Sequence, residues 1–158
     1  MKYLKFLVMI CFIGILFSCG GEDDICESGE GTPRMKVTFK SFESGKETII
    51  PVIYAAVDYG SGKVELGKLE KEGSWLIPIR VDDSPYTDLY FRIEEKGVES
   101  HVRVTYTTKT KYVSPGCGIK KSYENLSSEL IQSNPVLKVE TGQNQIENED
   151  KTHLFLLF

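Results

Sequence analysis

Beyond Pro33 the chain is patterned with a period of two. Met35, Val37 and Phe39 alternate with Lys36, Thr38 and Lys40, the signature of a strand with one buried face. Residues 49–57 are rich in β-branched and aromatic side chains and predict a second strand, with Pro51 near its start, where a missing N–H is tolerated. Ser44-Gly45-Lys46 and Gly60-Ser61-Gly62 are turns, Val64-Glu65-Leu66 is a short strand, and 68–73 is a charged loop. Trp75, Ile77, Ile79 and Val81 alternate cleanly, but Pro78 between them places that strand at an edge or a bulge. Asp82-Asp83-Ser84-Pro85 interrupts it. Leu89, Phe91 and Ile93 then alternate up to a turn at Glu95-Lys96-Gly97, and 98–107 completes a hairpin with Val102, Val104 and Tyr106 on one side. Tyr112-Val113 continues or re-pairs that strand, 119–126 is a strand or, with 127–132, a helical turn, and 136–139 and 152–158 complete the set.

Seven or eight strands at hairpin spacing, without a βαβ rhythm, predict an all-β fold: an antiparallel β-sandwich, with a small β-barrel as the alternative. The last segment, from His153 to Phe158, is apolar on both faces. It reads as a central strand buried on both sides. An outer-membrane barrel also ends in such an aromatic, but the repeated ten-residue lipid-facing strands of a barrel are missing from the pattern.

The start of the chain has a different texture. Lys2 and Lys5 precede an almost wholly apolar run at 6–17, which stops at Ser18-Cys19-Gly20. A run of about a dozen residues has the length of a signal-peptide core and falls short of the roughly 20 needed to span a bilayer. Leu16-Phe17-Ser18-Cys19 resembles a bacterial lipobox, with Phe17 bulkier than the common middle residue. The resemblance implies cleavage before Cys19 and acylation of that cysteine. Several acyl chains, at about 0.8 kcal/mol per buried methylene, make such an anchor durable. The expected organisation is a signal peptide at 1–18, a lipidated N-terminus and acidic linker at 19–31, and the β-sandwich at 32–158. Gly20-Gly21-Glu22-Asp23-Asp24 resembles the acidic signal for surface display in lipoproteins of the phylum Bacteroidota, so the expected location is the outer membrane, with the cell surface favoured over the periplasmic face.

Cleavage removes Lys2 and Lys5 and takes the formal net charge from −4 to −6. That balance argues against nucleic acid, whose phosphates require a basic face, and against peripheral adhesion to anionic lipid, so membrane association is expected to come from the acyl anchor. With Cys11 lost and Cys19 acylated, Cys26 and Cys117 remain as a natural disulfide pair for an oxidising compartment. On the chain-entropy model, closing a loop of about 90 residues stabilises the fold by about 4 to 5 kcal/mol.

No catalytic constellation stands out. There is no nucleophile elbow, and Gly60-Ser61-Gly62-Lys63 lacks phosphate-loop spacing. His101 falls on the polar phase of its strand and His153 starts the last one, so both are expected at the surface or rim. The carboxylate pairs Glu70/Glu72, Asp82/Asp83, Glu94/Glu95 and Glu147/Glu149/Asp150 lie at turns, where no cleft separates them as glycoside hydrolysis requires. Two distant cysteines and two histidines do not make a zinc site, and neither Asp82-Asp83 nor 147–150 has the twelve-residue calcium-loop pattern. No metal or cofactor is expected. Tyr86, Tyr90, Tyr112 and Tyr123 are either sheet packing or a stacking surface.

Two stretches go beyond composition: Cys26-Glu27-Ser28-Gly29-Glu30-Gly31-Thr32-Pro33-Arg34-Met35, and Cys117-Gly118 followed by Tyr123-Glu124-Asn125-Leu126 and Gln145-Ile146-Glu147-Asn148-Glu149. Together they resemble the small Bacteroidota lipoproteins of domain-of-unknown-function family 6452. The resemblance implies a single-domain, non-enzymatic lipoprotein and supports the Cys26–Cys117 pairing, since both cysteine contexts recur in that pattern. The expected role is an anchored accessory module that docks an outer-membrane protein by a sheet face or edge. The alternative is a glycan or small-ligand binder.

Overall fold

The computed structural model describes residues 31–158, so the expected signal peptide at 1–18, Cys19 and Cys26 lie outside the described residues. The alternation seen in the sequence becomes nine strands in two sheets: β1 (Met35–Lys40), β2 (Ile50–Asp58), β3 (Lys63–Glu72), β4 (Ser74–Ile77), β5 (Tyr86–Arg92), β6 (Ser100–Ser114), β7 (Gly118–Gln132), β8 (Lys138–Thr141) and β9 (Leu154–Leu157). One sheet has the order β4-β1-β9-β8 and the other β3-β2-β5-β6-β7. Among the described residues there is no helix and neither sheet closes on itself, so the fold is a β-sandwich.

The inward phase of each strand supplies the core: Val37 and Phe39 from β1, Ile53 and Val57 from β2, Leu89 and Phe91 from β5, Val102 and Val104 from β6, and Leu154 and Leu156 from β9. At one end the core carries two tyrosines, Tyr106 and Tyr123, packed edge to face at 5.0 Å. Burying a hydroxyl costs free energy unless it is hydrogen-bonded. Both are: Tyr123 Oη donates to the Arg80 carbonyl at 3.1 Å, and Tyr106 Oη shares a 2.6 Å bond with Thr87 Oγ1, which also accepts the Arg80 N–H. The segment after β4 is thereby pinned across the sandwich.

Several expectations require correction. The charged loop at 68–73 is the second half of β3, a ten-residue edge strand. An edge strand needs only one pairing neighbour, and lysine and glutamate along it discourage a second. Lys68 and Glu70 lie within 2.5 Å of each other on it. Residues 119–132, for which the sequence allows either a strand or a helical turn, are strand throughout, because β7 is paired with β6 along its length up to Gln132. Alternation from Trp75 to Val81 stops as strand at Ile77, since Pro78 cannot donate, and β4 is an edge strand of its sheet. The strand expected at 136–139 is shifted to Lys138–Thr141. Pairing is antiparallel with one exception: β1 and β9 run parallel, Val37 opposite Leu154 and Phe39 opposite Leu156. As expected of its two-sided apolarity, β9 is a central strand.

His153, expected at the rim, is 1% exposed. It extends the β1–β9 ladder by one step: its N–H donates to the Lys36 carbonyl at 2.9 Å, and its Nδ1 accepts the Lys36 N–H at 2.9 Å. An imidazole nitrogen does here what a backbone carbonyl would do in a longer strand. Burial, assisted by the Lys36 ammonium, pushes the His153 pKa down to about 4.

The folded state refuses a proton at His153 that the unfolded chain accepts, so the contribution is complete above the unfolded pKa of about 6.5 and is lost as pH falls through the folded pKa of about 4. Urea midpoints between pH 7 and pH 4 should record a loss approaching about 3 kcal/mol, and His153→Asn, which keeps an acceptor but does not titrate, should flatten the profile. Gly142 follows β8 so closely that a Cβ there would stand 2.4 Å from the Thr152 carbonyl oxygen. Gly142→Ala should therefore cost about 1–3 kcal/mol in the same unfolding assay, because a backbone atom must move.

Candidate functional site

The residues singled out in the sequence do not converge on a reaction centre. Gly60-Ser61-Gly62 is a turn latched by Asp58, whose Oδ1 accepts the N–H groups of Gly60 at 2.7 Å and Gly62 at 3.2 Å. Asp82 is gripped by the Arg80 guanidinium, at 2.5 Å and 3.0 Å, which holds its pKa at about 2, while Asp83 pairs with the buried Lys121. Glu149 takes both arms of Arg34 at 2.8 Å, and its pKa is likewise lowered to about 2. Carboxylates held ionised by a guanidinium are poor proton donors at neutral pH. No group of three or more His, Cys, Asp and Glu side chains among the described residues is placed to hold a metal ion. Cys117 sits in the turn between β6 and β7, where its amide donates to Ser114 Oγ at 3.1 Å.

The outer face of the five-stranded sheet carries a tight polar array. Asp88 on β5 is 8% exposed although it points away from the core, because Arg103 on β6 covers it with two 2.8 Å hydrogen bonds. Those bonds, with the neighbouring His101, keep Asp88 ionised by lowering its pKa. His101 Nε2 lies 2.9 Å from Asp88 Oδ1, off the line of a good hydrogen bond, and its ring stacks on Tyr90 at 4.6 Å. The sheet tyrosines of this face are each covered by a cation: Tyr54 by Arg92 at 5.3 Å, Tyr90 by Lys63 at 3.6 Å and Tyr86 by Arg103 at 4.3 Å. Their rings close the face with cation–π contacts. Tyr123, counted in the sequence as a possible stacking residue, is fully buried, whereas Tyr112 is exposed.

Apolar surface gathers instead at the ends of the sandwich. A shallow groove of about 600 Å³ lies between the start of β2, Ile93 after β5, the Asn134-Pro135 turn and Phe158. Of the ten large apolar side chains exposed among the described residues, six surround this end: Phe42, Ile49, Ile93, Val98, Ile131 and Leu137. Phe42 and Leu137 are fixed there by hydrogen bonds from their N–H groups to the carbonyls of Phe158 and Leu157. The segment leading into β1 lies at the other end, where Thr32 Oγ1 accepts the N–H of Lys121 at 3.0 Å. Sequence alternation misses this cluster because five of its six members stand just outside the strands, as Ile93 and Val98 do on either side of a hairpin turn, and Ile131 falls at the end of β7.

No curated protein and no solved structure matches the chain. A family model does, over residues 52–158, which takes in eight of the nine strands in whole or part and Cys117, and leaves the stretch from Cys26 to Met35 outside the matched region. The chain belongs to the family of unknown function DUF6452.

Proposed function

We propose that the protein is an outer-membrane lipoprotein, acylated at Cys19 and displayed at the cell surface, that serves as a non-enzymatic docking module for an outer-membrane protein. The observation that carries this reading is polarity along the long axis. Exposed apolar side chains crowd the end opposite Thr32, the end that an N-terminal anchor holds farthest from its membrane attachment. Contiguous apolar patches on soluble domains mark interaction surfaces. Ile93, Val98, Pro135 and Phe158 give a protein partner a groove to fill with an aromatic or aliphatic anchor, which is how interface energy concentrates. The same reading joins Cys26 to Cys117, clamping the linker to the β6–β7 turn.

Glycan binding fits less well. A sugar platform needs open aromatic faces, and Tyr54, Tyr86 and Tyr90 each present a face already occupied by a cation.

Cys19→Ser should move the protein from the membrane to the soluble fraction on cell fractionation. A photo-crosslinker placed at Val98 in intact cells should give one dominant adduct with an outer-membrane protein, and Ile93→Asp should abolish it. Ile93 is already about half exposed, so the unfolding free energy should stay within about 1 kcal/mol of the parent. An adduct pattern unchanged by Ile93→Asp would rule out this end as the docking site.

A further inference from the structure

Three of the four sheet edges are short or covered. β4 and β8 have four residues each. The outer side of β7 is covered at Tyr123, which exchanges backbone hydrogen bonds with Ile146 at 3.2 Å and 2.8 Å, and at Leu126, whose N–H donates to the Asn144 carbonyl at 2.9 Å. β3 is the exception: it is ten residues long, and among the described residues no backbone hydrogen bond reaches its outer side. A long open edge is a template for another strand.

The residues of β3 specify which strand fits. Against β2 it carries a bulge: Ala55 faces Gly67 and Ala56 faces Glu65, which leaves Leu66 as the extra residue and Gly67 at a φ of 97° that favours glycine. The extra residue shifts the alternation. Lys63, Glu65, Lys68 and Glu70, opposite Asp58, Ala56, Tyr54 and Val52, therefore all share the outer face of the sheet, while Val64 and Leu69, opposite Val57 and Ile53, share the inner one. About the bulge, that order is its own complement. A second β3 laid antiparallel sets Lys63 opposite Glu70, Val64 opposite Leu69 and Glu65 opposite Lys68, each pair occurring twice around a two-fold axis at Leu66-Gly67. Without the bulge the members of each pair would fall on opposite faces. A slip of two residues either way sets Glu65 against Glu70 or Lys63 against Lys68.

We propose that a second copy of this chain pairs on β3, joining two five-stranded sheets into one across a two-fold axis. Val64, 46% exposed, and the half-buried Leu69 then cover one another on the inner face. The charges of the outer face already have partners in their own chain, Lys63 with Glu99, Glu65 with Arg92 and Lys68 with Glu70. Exposed ion pairs add little affinity, so these side chains choose register and partner, while the backbone ladder and the apolar pairs hold the two copies together. The same lysines and glutamates that turn other strands away admit this one. No residue of β3 lines the docking groove, so the dimer stands independently of the docking reading.

Sedimentation velocity of the full-length protein in detergent tests this. The parent should pass from monomer to dimer between about 1 µM and about 1 mM, the range of a small interface. Glu65→Lys, which sets lysine against Lys68, and Lys68→Glu, which sets glutamate against Glu65, should each raise the dissociation constant about ten-fold, because every substitution acts twice across the axis. An equimolar mixture of the two variants should regain the parent's affinity, a rescue that a damaged fold cannot mimic. Urea midpoints identify a variant that does not fold, and Lys63→Glu mixed with Glu70→Lys then gives the same test at the outer pair. A parent that stays monomeric over the whole range, single variants that dimerise as the parent does, or a mixture no tighter than its components overturns the proposal.

Discussion

The four-stranded sheet exists because β1 and β9 pair in its centre. β4 bonds to β1 alone and β8 is held in that sheet by β9, so each outer strand depends on a partner whose own place depends on the parallel ladder between them. Strands so paired cannot be joined by a tight turn, and here 113 residues separate Lys40 from Leu154. What fixes the register is side-chain fit on the inner face, Val37 against Leu154 and Phe39 against Leu156, together with the His153–Lys36 exchange that ends the ladder. Phe158 completes the seam by packing edge to face on Phe39 at 6.0 Å. The long loop closure is repaid only when all of these form together, which makes the sandwich cooperative.

Around that seam, polar and apolar surfaces are segregated with some economy. On the outer sheet faces, long cationic side chains lie over aromatic rings: Lys40 on Phe155 at 3.6 Å, and the three tyrosine contacts of the other sheet. Those faces therefore present charge to water even where the underlying residues are aromatic. Exposed apolar groups concentrate at the two ends, where strands stop and turns begin. A domain organised in this way offers its apolar groups end-on, which is the geometry the docking proposal uses.

Much of the fold was legible because a half-buried strand writes its inward face as alternate apolar residues. Met35-Val37-Phe39, Leu89-Phe91 and Val102-Val104-Tyr106 all obey that rule and are all buried. β3 was illegible beyond its start since an edge strand exposed on both sides has no apolar phase to write. The parallel β1–β9 pairing leaves no local mark either, because turn residues announce hairpins and nothing announces two distant strands meeting. His153 looked like a rim residue until its nitrogen proved to replace a ladder carbonyl. Asp88 and Lys121 are buried because Arg103 and Asp83, far away in sequence, cover them. The candidate docking end was hidden for a related reason: all but one of its exposed apolar residues sit in loops, each unremarkable alone, and only the topology gathers them.

The central place of β9 also bears on how the chain is made. A ribosome releases β1 more than a hundred residues before it releases the strand that β1 needs beside it, so the four-stranded sheet cannot assemble on the nascent chain. Until then Met35, Val37 and Phe39 have only β4 to lie against. The five-stranded sheet has all of its strands by Gln132, so the two layers of the sandwich become available at different times and the second closes only at the end of the chain.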